Sequence, residues 1–270
     1  MLERTRASRA RPGPAVALWG GAGLGWALLL IVLPLVSPQP AHHGVAGALA
    51  SGASPALVLA VVAAAWLLMV AAMMLPTTVP MVRMFQVVSA SRPRAPVAMA
   101  AFLAAYFAVW LGFAAIALPV DLGVHALVAA WPWLRAHDGL VPAAALALAG
   151  AVQFTPLTQR CLTLCRDPRA VLFARYRRGV AGAWSLGLRH GLSCVGCCWA
   201  LMLVMVAVGV SSLWWMAGLT AVMVAEKTTR WGPRLLPVVG AVLLFAASVL
   251  AVDAIAAAPA GGGTGPGHAH

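Results

Sequence analysis

The sequence predicts an all-α membrane protein in which about seven transmembrane helices form a bundle. Of its 270 residues, 63% are hydrophobic and only 9% are charged, and the mean hydropathy is +0.93. A soluble domain of this length needs more polar residues to cover its surface. We therefore expect the lipid bilayer to surround most of the chain.

Seven apolar stretches approach the length of about 20 residues that a helix needs to cross a bilayer. We expect spans at residues 16–36, 55–75, 96–119, 139–156, 187–209, 212–228 and 235–256. The first stretch is longer than the apolar core of a secretory signal and has no small-residue cleavage site after it, so we expect it to remain as a helix. The expected organisation is a disordered basic cytoplasmic arm at 1–14, a transmembrane helical domain at 15–258 and a disordered Gly/His tail at 259–270.

The basic residues predict the orientation of the chain. Nearly all of them precede the first span or lie in the connections after the second, fourth and sixth spans, and only Arg135 falls on the opposite side. Basic residues concentrate on the cytoplasmic side of membrane proteins. The N-terminus is therefore expected in the cytoplasm and the C-terminus in the periplasm of a bacterial inner membrane. Because this asymmetry accounts for the net charge of +12, we expect no nucleic-acid partner.

The fifth predicted span carries the densest group of metal-ligating side chains. His190, Cys194, Cys197 and Met205 fall on one stripe of a helix and Cys198 flanks that stripe, and Met202 is a further candidate ligand of the same motif. Thiolates and thioethers are the soft ligands that select Cu(I), zinc or iron–sulfur centres. The stripe therefore indicates a soft-metal site inside the membrane.

One helix cannot surround an ion, so other segments must complete this site. Gly191 and Gly196 allow a neighbouring helix to approach the thiol-bearing face closely. The alternative is that the cysteines only fill space, since membrane helices also use Cys as a small apolar residue.

The second predicted span contributes three methionines, Met69, Met73 and Met74. Thioether sulfur binds Cu(I) well and stays uncharged, so it enters lipid without a large desolvation cost. Methionine also fills gaps in irregular cores, which is the alternative interpretation. The predicted topology places these residues level with the thiol-bearing half of the fifth span.

Cys161 and Cys165 lie in the connection between the fourth and fifth spans, which the predicted topology places in the cytoplasm. Their spacing puts both thiols on one face of a helix, and the reducing cytosol keeps them available as ligands. Arg160 and Arg166 are expected to favour the thiolate form. Zinc competes with copper for this pair, because paired cytosolic cysteines often bind zinc.

Further candidates lie at the end of the sixth span and outside the membrane. Glu226 and Lys227 are adjacent in sequence, and they are either an interfacial ion pair or groups that support the site from beyond its ligands. His42, His43, His268 and His270 are predicted to be external and would capture metal there.

Several of these motifs together resemble those of a known family. They are Trp66…Met69…Ala72-Met73-Met74-x-Pro76, Thr155-Pro156-Leu157…Cys161-Leu162-x-x-Cys165-Arg166-x-Pro168, Gly191-x-x-Cys194-x-Gly196-Cys197-Cys198-Trp199-x-Leu201-Met202 and Glu226-Lys227. In this order they are similar to those of bacterial integral membrane proteins predicted to bind metal, a domain of unknown function sometimes labelled copper chaperone. The resemblance covers about residues 60–240 and implies metal binding in the membrane.

Two positions depart from the pattern of that family. Thr158 stands where a lysine is expected, which removes a charged partner near Cys161. Ser211 and Ser212 stand where a Met-Asn pair is expected, which removes an external ligand.

These observations favour binding of Cu(I), with zinc as the second candidate metal. The protein would act in copper transport across the membrane or in delivery to a copper protein on its periplasmic or cytoplasmic side. One alternative is a membrane thiol–disulfide oxidoreductase, and another is a non-catalytic membrane subunit whose Cys and Met are structural. The sequence has no Walker loop, nucleophile elbow, zincin helix or paired carboxylates, so an energised pump is not expected from this chain alone, and an enzyme is the less favoured interpretation.

Overall fold

The computed structural model describes residues 14–36, 52, 54–90, 92–208 and 213–257, and within these ranges the chain is helical without any strand. This confirms the all-α class. The helices are α1 (Pro14–Val36), α2 (Pro55–Ser89), α3 (Ala95–Ala130), α4 (Pro132–Ala136), α5 (Leu140–Gln153), α6 (Pro156–Arg166), α7 (Pro168–Arg175), α8 (Gly179–Val208), α9 (Leu213–Thr228) and α10 (Gly232–Ala256).

Four of these helices, α2, α3, α8 and α10, are long and apolar enough to cross a membrane. A fifth span results if α5 and α6, which meet at an angle of 68°, are counted as one bent element. The apolar stretch described in α1 is shorter, at Val16–Ile31, and α9 has 16 residues. The helices are thus compatible with a membrane protein, while the predicted count of seven spans and the orientation of the termini are not confirmed by their lengths.

Helices α2 and α3 continue beyond the predicted span ends at residues 75 and 119, to Ser89 and Ala130. α2 runs through Pro76 and Pro80 to Ser89, so that Met73 and Met74 lie inside the helix and not at its end. Proline is tolerated within membrane helices because hydroxyl side chains and local adjustments compensate for the backbone donor it lacks. Thr77 and Thr78 both donate to the carbonyl of Met74, at 2.8 and 3.0 Å.

The predicted connection after the fourth span is itself helical. The side chain of Thr155 caps α6 by accepting from the backbone N–H of Thr158 at 3.4 Å, and the carboxylate of Asp167 caps α7 by accepting from Ala170 at 3.0 Å. The bend between α5 and α6 lays α6 against α8. This packing brings the two cysteines of α6 to the thiol-bearing face of α8.

Helix α8 lies at the centre of the described structure, where it packs against α3, α5 and α6. Its contact with α3 depends on Gly187, since a Cβ there would collide with the carbonyl oxygen of Phe102. The largest apolar core forms around α8 and includes the methionines of α2. The candidate cysteines and methionines are therefore held in this core or against it.

Candidate metal centre

Five buried sulfur atoms from three helices form the group that we call the sulfur cluster. Its members are Met74 of α2, Cys165 of α6, and Cys194, Cys197 and Cys198 of α8. All five side chains are at most 8% exposed. The structure thus brings cysteines from α6 and α8 into one core with a methionine of α2, as a soft-metal site requires.

Cys165 and Cys197 are the pair that joins α6 to α8. Their Sγ atoms lie 4.0 Å apart. Two metal–sulfur bonds of about 2.3 Å place their sulfurs about 3.8 Å apart at a tetrahedral angle and about 4.6 Å apart when linear. The pair is therefore spaced to share one ion.

Cys194 and Cys198 lie on consecutive turns of α8. The thiols of Cys197 and Cys198 both donate to the carbonyl of Cys194, at 3.1 and 2.8 Å. All five cysteines of the protein are free thiols in this structure. Two of the three thiols of α8 are thus held by the backbone of the helix, and none of the three is tied up in a disulfide.

Lys227 of α9 reaches into the sulfur cluster. Its Nζ lies 3.0 Å from the Sγ of Cys194, 3.7 Å from the Sγ of Cys198 and 3.9 Å from the Sδ of Met74. The lysine is 6% exposed. The sequence identifies Lys227 as a candidate at the metal site but does not indicate which groups it touches.

The carboxylate of Glu226 has a different partner. Its Oε1 accepts a hydrogen bond from the Nε2 of Gln153 at 3.1 Å. Among the described residues, no carboxylate oxygen lies within 4 Å of the Lys227 Nζ. Adjacent positions on a helix point in different directions, so the two neighbouring residues do not form an ion pair with each other.

Tyr106 of α3 is a member of the site that sequence analysis missed. Its hydroxyl lies 3.2 Å from the Sγ of Cys194, and its ring stacks on His190 with centroids 5.7 Å apart. A single tyrosine in an apolar helix carries no sequence signal, because its role arises only when α3 packs against α8. His190 is also 5.9 Å from the ring of Phe102, so the structure places the imidazole in an aromatic stack beside the cluster. Its role as a ligand stays a prediction.

Cys161 is the one described cysteine with substantial exposure, since the other four are buried. A Cβ built at Gly196 would lie 2.5 Å from the Cys161 Sγ. The thiol therefore rests against the backbone of α8, next to the sulfur cluster. The predicted close approach at Gly196 is present in the structure, and α6 is the helix that uses it.

Met69, Met73 and Met202 lie in the same apolar core and are at most 2% exposed. We call them the methionine group. No hydrogen-bond contact of these three with the thiols or with Lys227 occurs in the described part of the chain. Their predicted role as ligands is not tested by this arrangement.

Arg166 fixes α6 against the end of α9. Its guanidinium donates to the carbonyls of Glu226 and Thr229, the second at 2.6 Å. Carbonyls at a helix C-terminus lack partners within the helix and attract cations. This anchor sets the position of the neighbouring Cys165.

Thr158 occupies the position where the resemblance predicts a lysine. Its hydroxyl is buried and donates to the carbonyl of Val152 at 2.9 Å. The residue thus joins α6 to the end of α5.

Within the described residues, no group of three or more His, Cys, Asp or Glu side chains converges tightly enough to hold an ion. Cys165 and Cys197 form one pair of sulfur atoms. Around the Lys227 Nζ lie the thiols of Cys194 and Cys198 and the thioether of Met74. His42, His43, His268, His270, Ser211 and Ser212 lie outside the described residues.

The fold and this site together define an all-helical protein, with helices apolar enough for a membrane and a buried cluster of thiols and thioether. Residues 63–250, well over half of the chain, match the model of the family PpoB2, described as a copper chaperone. The protein belongs to this family. No match to the chain is found among the curated proteins or among the solved structures.

Proposed function

We propose that the protein binds Cu(I) within the bacterial inner membrane and either delivers it to a partner copper protein or transports it. In this proposal the chain crosses the bilayer seven times, with its N-terminus in the cytoplasm and its C-terminus in the periplasm. The membership of a copper chaperone family supports the choice of metal. The copper is the cargo of the protein and not a catalytic cofactor.

The observation that carries the proposal is that four buried cysteines of α6 and α8 lie in one apolar core with Met74 of α2. Apolar burial alone gives no reason for a lysine to lie among thiols, because an ammonium removed from water needs compensating partners. A soft-cation site supplies such a reason.

The cysteines are arranged for transfer by successive ligand exchange. Cys161 is partly exposed and lies against α8, whereas Cys165 and Cys197 form a buried pair 4.0 Å apart. On α8, Cys194 lies about one turn before Cys197, and Cys198 directly follows Cys197. In the proposed path, Cys161 receives the ion from the cytoplasmic side, Cys165 and Cys197 share it next, and Cys194 and Cys198 hold it deepest.

The distance between Cys165 and Cys197 also favours a second candidate function, that of a membrane thiol–disulfide oxidoreductase. A disulfide requires sulfurs about 2.05 Å apart, so a shift of α6 toward α8 would allow the bond to form. The two thiols would each lose one electron and one proton to an external disulfide or quinone acceptor. Mass analysis after alkylation, before and after reduction, distinguishes this function, since it requires a Cys165–Cys197 disulfide in the purified protein.

The experiment that tests the first proposal is the copper content of the detergent-purified protein, together with a Cu(I) competition titration. We expect about one Cu(I) per chain in the wild type and none in the Cys194→Ser/Cys197→Ser/Cys198→Ser variant. Ala207→Ser is the matched control, because it adds a hydroxyl to the same helix outside the cluster. Equal copper content in the triple variant and the wild type would overturn the proposal, and zinc at Cys161 and Cys165 alone would point to a structural role.

A further inference from the structure

Lys227 is the single lysine of this protein. The chain contains 18 basic residues of the Lys and Arg types, and the other 17 are arginines. Among the described residues, this lysine is also the one basic side chain whose nitrogen contacts the cluster thiols. An ammonium is a compact point charge, whereas a guanidinium is planar and requires a wider site. The sulfur cluster therefore holds the basic group that most resembles a bare monovalent cation.

The contacts of the ammonium define a cation position. Cys194 and Cys198 approach it from α8 and Met74 approaches it from α2, at 3.0 to 3.9 Å. The hydroxyl of Tyr106, from α3, is directed to Cys194 and completes the polar surroundings. The carboxylate of Glu226 accepts a hydrogen bond from Gln153 and does not contact the lysine. Sulfur atoms therefore supply the nearest polar contacts of the Lys227 ammonium on the described helices.

We propose that Lys227 occupies the copper position in the metal-free protein, and that Cu(I) displaces its ammonium from Cys194, Cys198 and Met74. This inference rests on the proposed function, because it names the position and the selectivity of the same site. Both cations carry a single positive charge, so the exchange leaves the charge of the buried cluster unchanged for a given number of thiolates, and any thiol that becomes a ligand releases its proton. A divalent ion would add one uncompensated charge to an apolar core, which is costly. The cluster is thus matched to a monovalent soft metal, and Lys227 marks the position of that charge.

The location of Lys227 provides an exit for the displaced ammonium. The residue lies next to the last residue of α9 (Leu213–Thr228). A lysine near a helix end can extend its four-carbon stem toward the interface and keep its charge in water. The ammonium can therefore leave the sulfurs without unfolding of α9.

The first test is nuclear magnetic resonance of the wild-type protein, labelled with ¹³C and ¹⁵N in lysine only. A single lysine gives a single side-chain signal. We expect that signal to move when Cu(I) binds, and to stay in place when Cu(I) is added to the Cys194→Ser/Cys198→Ser variant. If copper binds to the wild type and the lysine signal does not move, the inference is wrong while the proposed function stands. If copper does not bind to the wild type, the proposed function itself fails.

Amine labelling gives an independent readout of the same displacement. A membrane-permeant acylating reagent is expected to modify Lys227 slowly in the metal-free protein and about tenfold faster after copper loading, since the ammonium then leaves its buried position. Peptide mapping assigns the label to Lys227. Equal labelling rates before and after copper loading would overturn the inference.

Competition between the ammonium and the ion is tested with Lys227→Leu, which brings no metal-ligating atom. In the wild type the ammonium must leave the sulfurs before Cu(I) binds, so we expect the Cu(I) affinity to rise by about tenfold when the lysine is removed. An unchanged or lower Cu(I) affinity in Lys227→Leu would contradict the assigned position.

Discussion

The sulfur cluster and the methionine group are equally buried and differ in their polar contacts. The sulfur cluster has the Lys227 ammonium and the Tyr106 hydroxyl in contact with its thiols. The methionine group lies in the same core but has no such contact among the described residues. Buried sulfur by itself thus indicates packing, whereas sulfur atoms that contact a buried cation indicate a cation-binding site.

The largest expected difference between the two groups concerns copper affinity. Replacing Cys194 and Cys198 by Ser removes two proposed ligands, and we expect the Cu(I) affinity to fall by about 100-fold or more. This loss exceeds that expected when a residue that only orients a ligand is replaced. Replacing Met69 and Met73 by Leu conserves volume and should change affinity by less than about threefold. A Cu(I) competition titration measures both variants, and equal losses would show that the methionine group binds the ion as well.

The second prediction concerns the close approach of α6 to α8. Gly196→Ala introduces a Cβ that would lie 2.5 Å from the Cys161 Sγ. We expect α6 to move away and the protein to lose about 1–3 kcal/mol of stability through overpacking. Thermal unfolding in detergent measures the loss, and diamide-induced crosslinking of Cys165 to Cys197 should decrease in parallel.

Gly218→Ala is the matched control for this substitution. A Cβ at Gly218 would meet no atom within 4 Å, so neither the unfolding midpoint nor the crosslinking should fall. If Gly196→Ala behaves like Gly218→Ala, the contact between α6 and α8 does not determine the spacing of the thiol pair.

The sequence allowed the thiol stripe of α8 to be predicted, because helical periodicity alone places Cys194, Cys197 and Cys198 near one another. It also predicted the close approach at Gly196. It could not show that α6 supplies the partner, since this depends on the 68° bend between α5 and α6. That bend is a tertiary feature with no periodic signal.

The contacts of Lys227 and Tyr106 were equally inaccessible to sequence analysis. Each is one polar residue on an apolar helix, and its role depends on which neighbouring helix it faces. The second predicted span ended at residue 75, whereas α2 continues through Pro76 and Pro80 to Ser89, because membrane helices tolerate proline.

The third prediction compares Arg166, which anchors α6, with an exposed arginine of the next helix, α7. Arg166→Gln removes charged hydrogen bonds to the end of α9, each worth about 1.5–3 kcal/mol. We expect local opening to raise the rate at which N-ethylmaleimide alkylates the buried Cys165 by about tenfold. Arg169→Gln changes an exposed residue and should leave the rate unaltered. Equal alkylation rates in the two variants would remove Arg166 from the set of residues that position the site.

The smallest expected effect compares two adjacent residues on α2. Met73 and Met74 are both fully buried, but only Met74 has a recorded contact with the Lys227 Nζ, at 3.9 Å. This is the longest of the three sulfur contacts, so Met74→Leu should weaken Cu(I) binding by only about threefold, while Met73→Leu leaves it unchanged. The lysine signal of metal-free Met74→Leu should also shift, because one of its three sulfur neighbours is lost, and that of Met73→Leu should not. If the lysine signal shifts as much in Met73→Leu as in Met74→Leu, Met73 also contacts the cation position and belongs to the sulfur cluster.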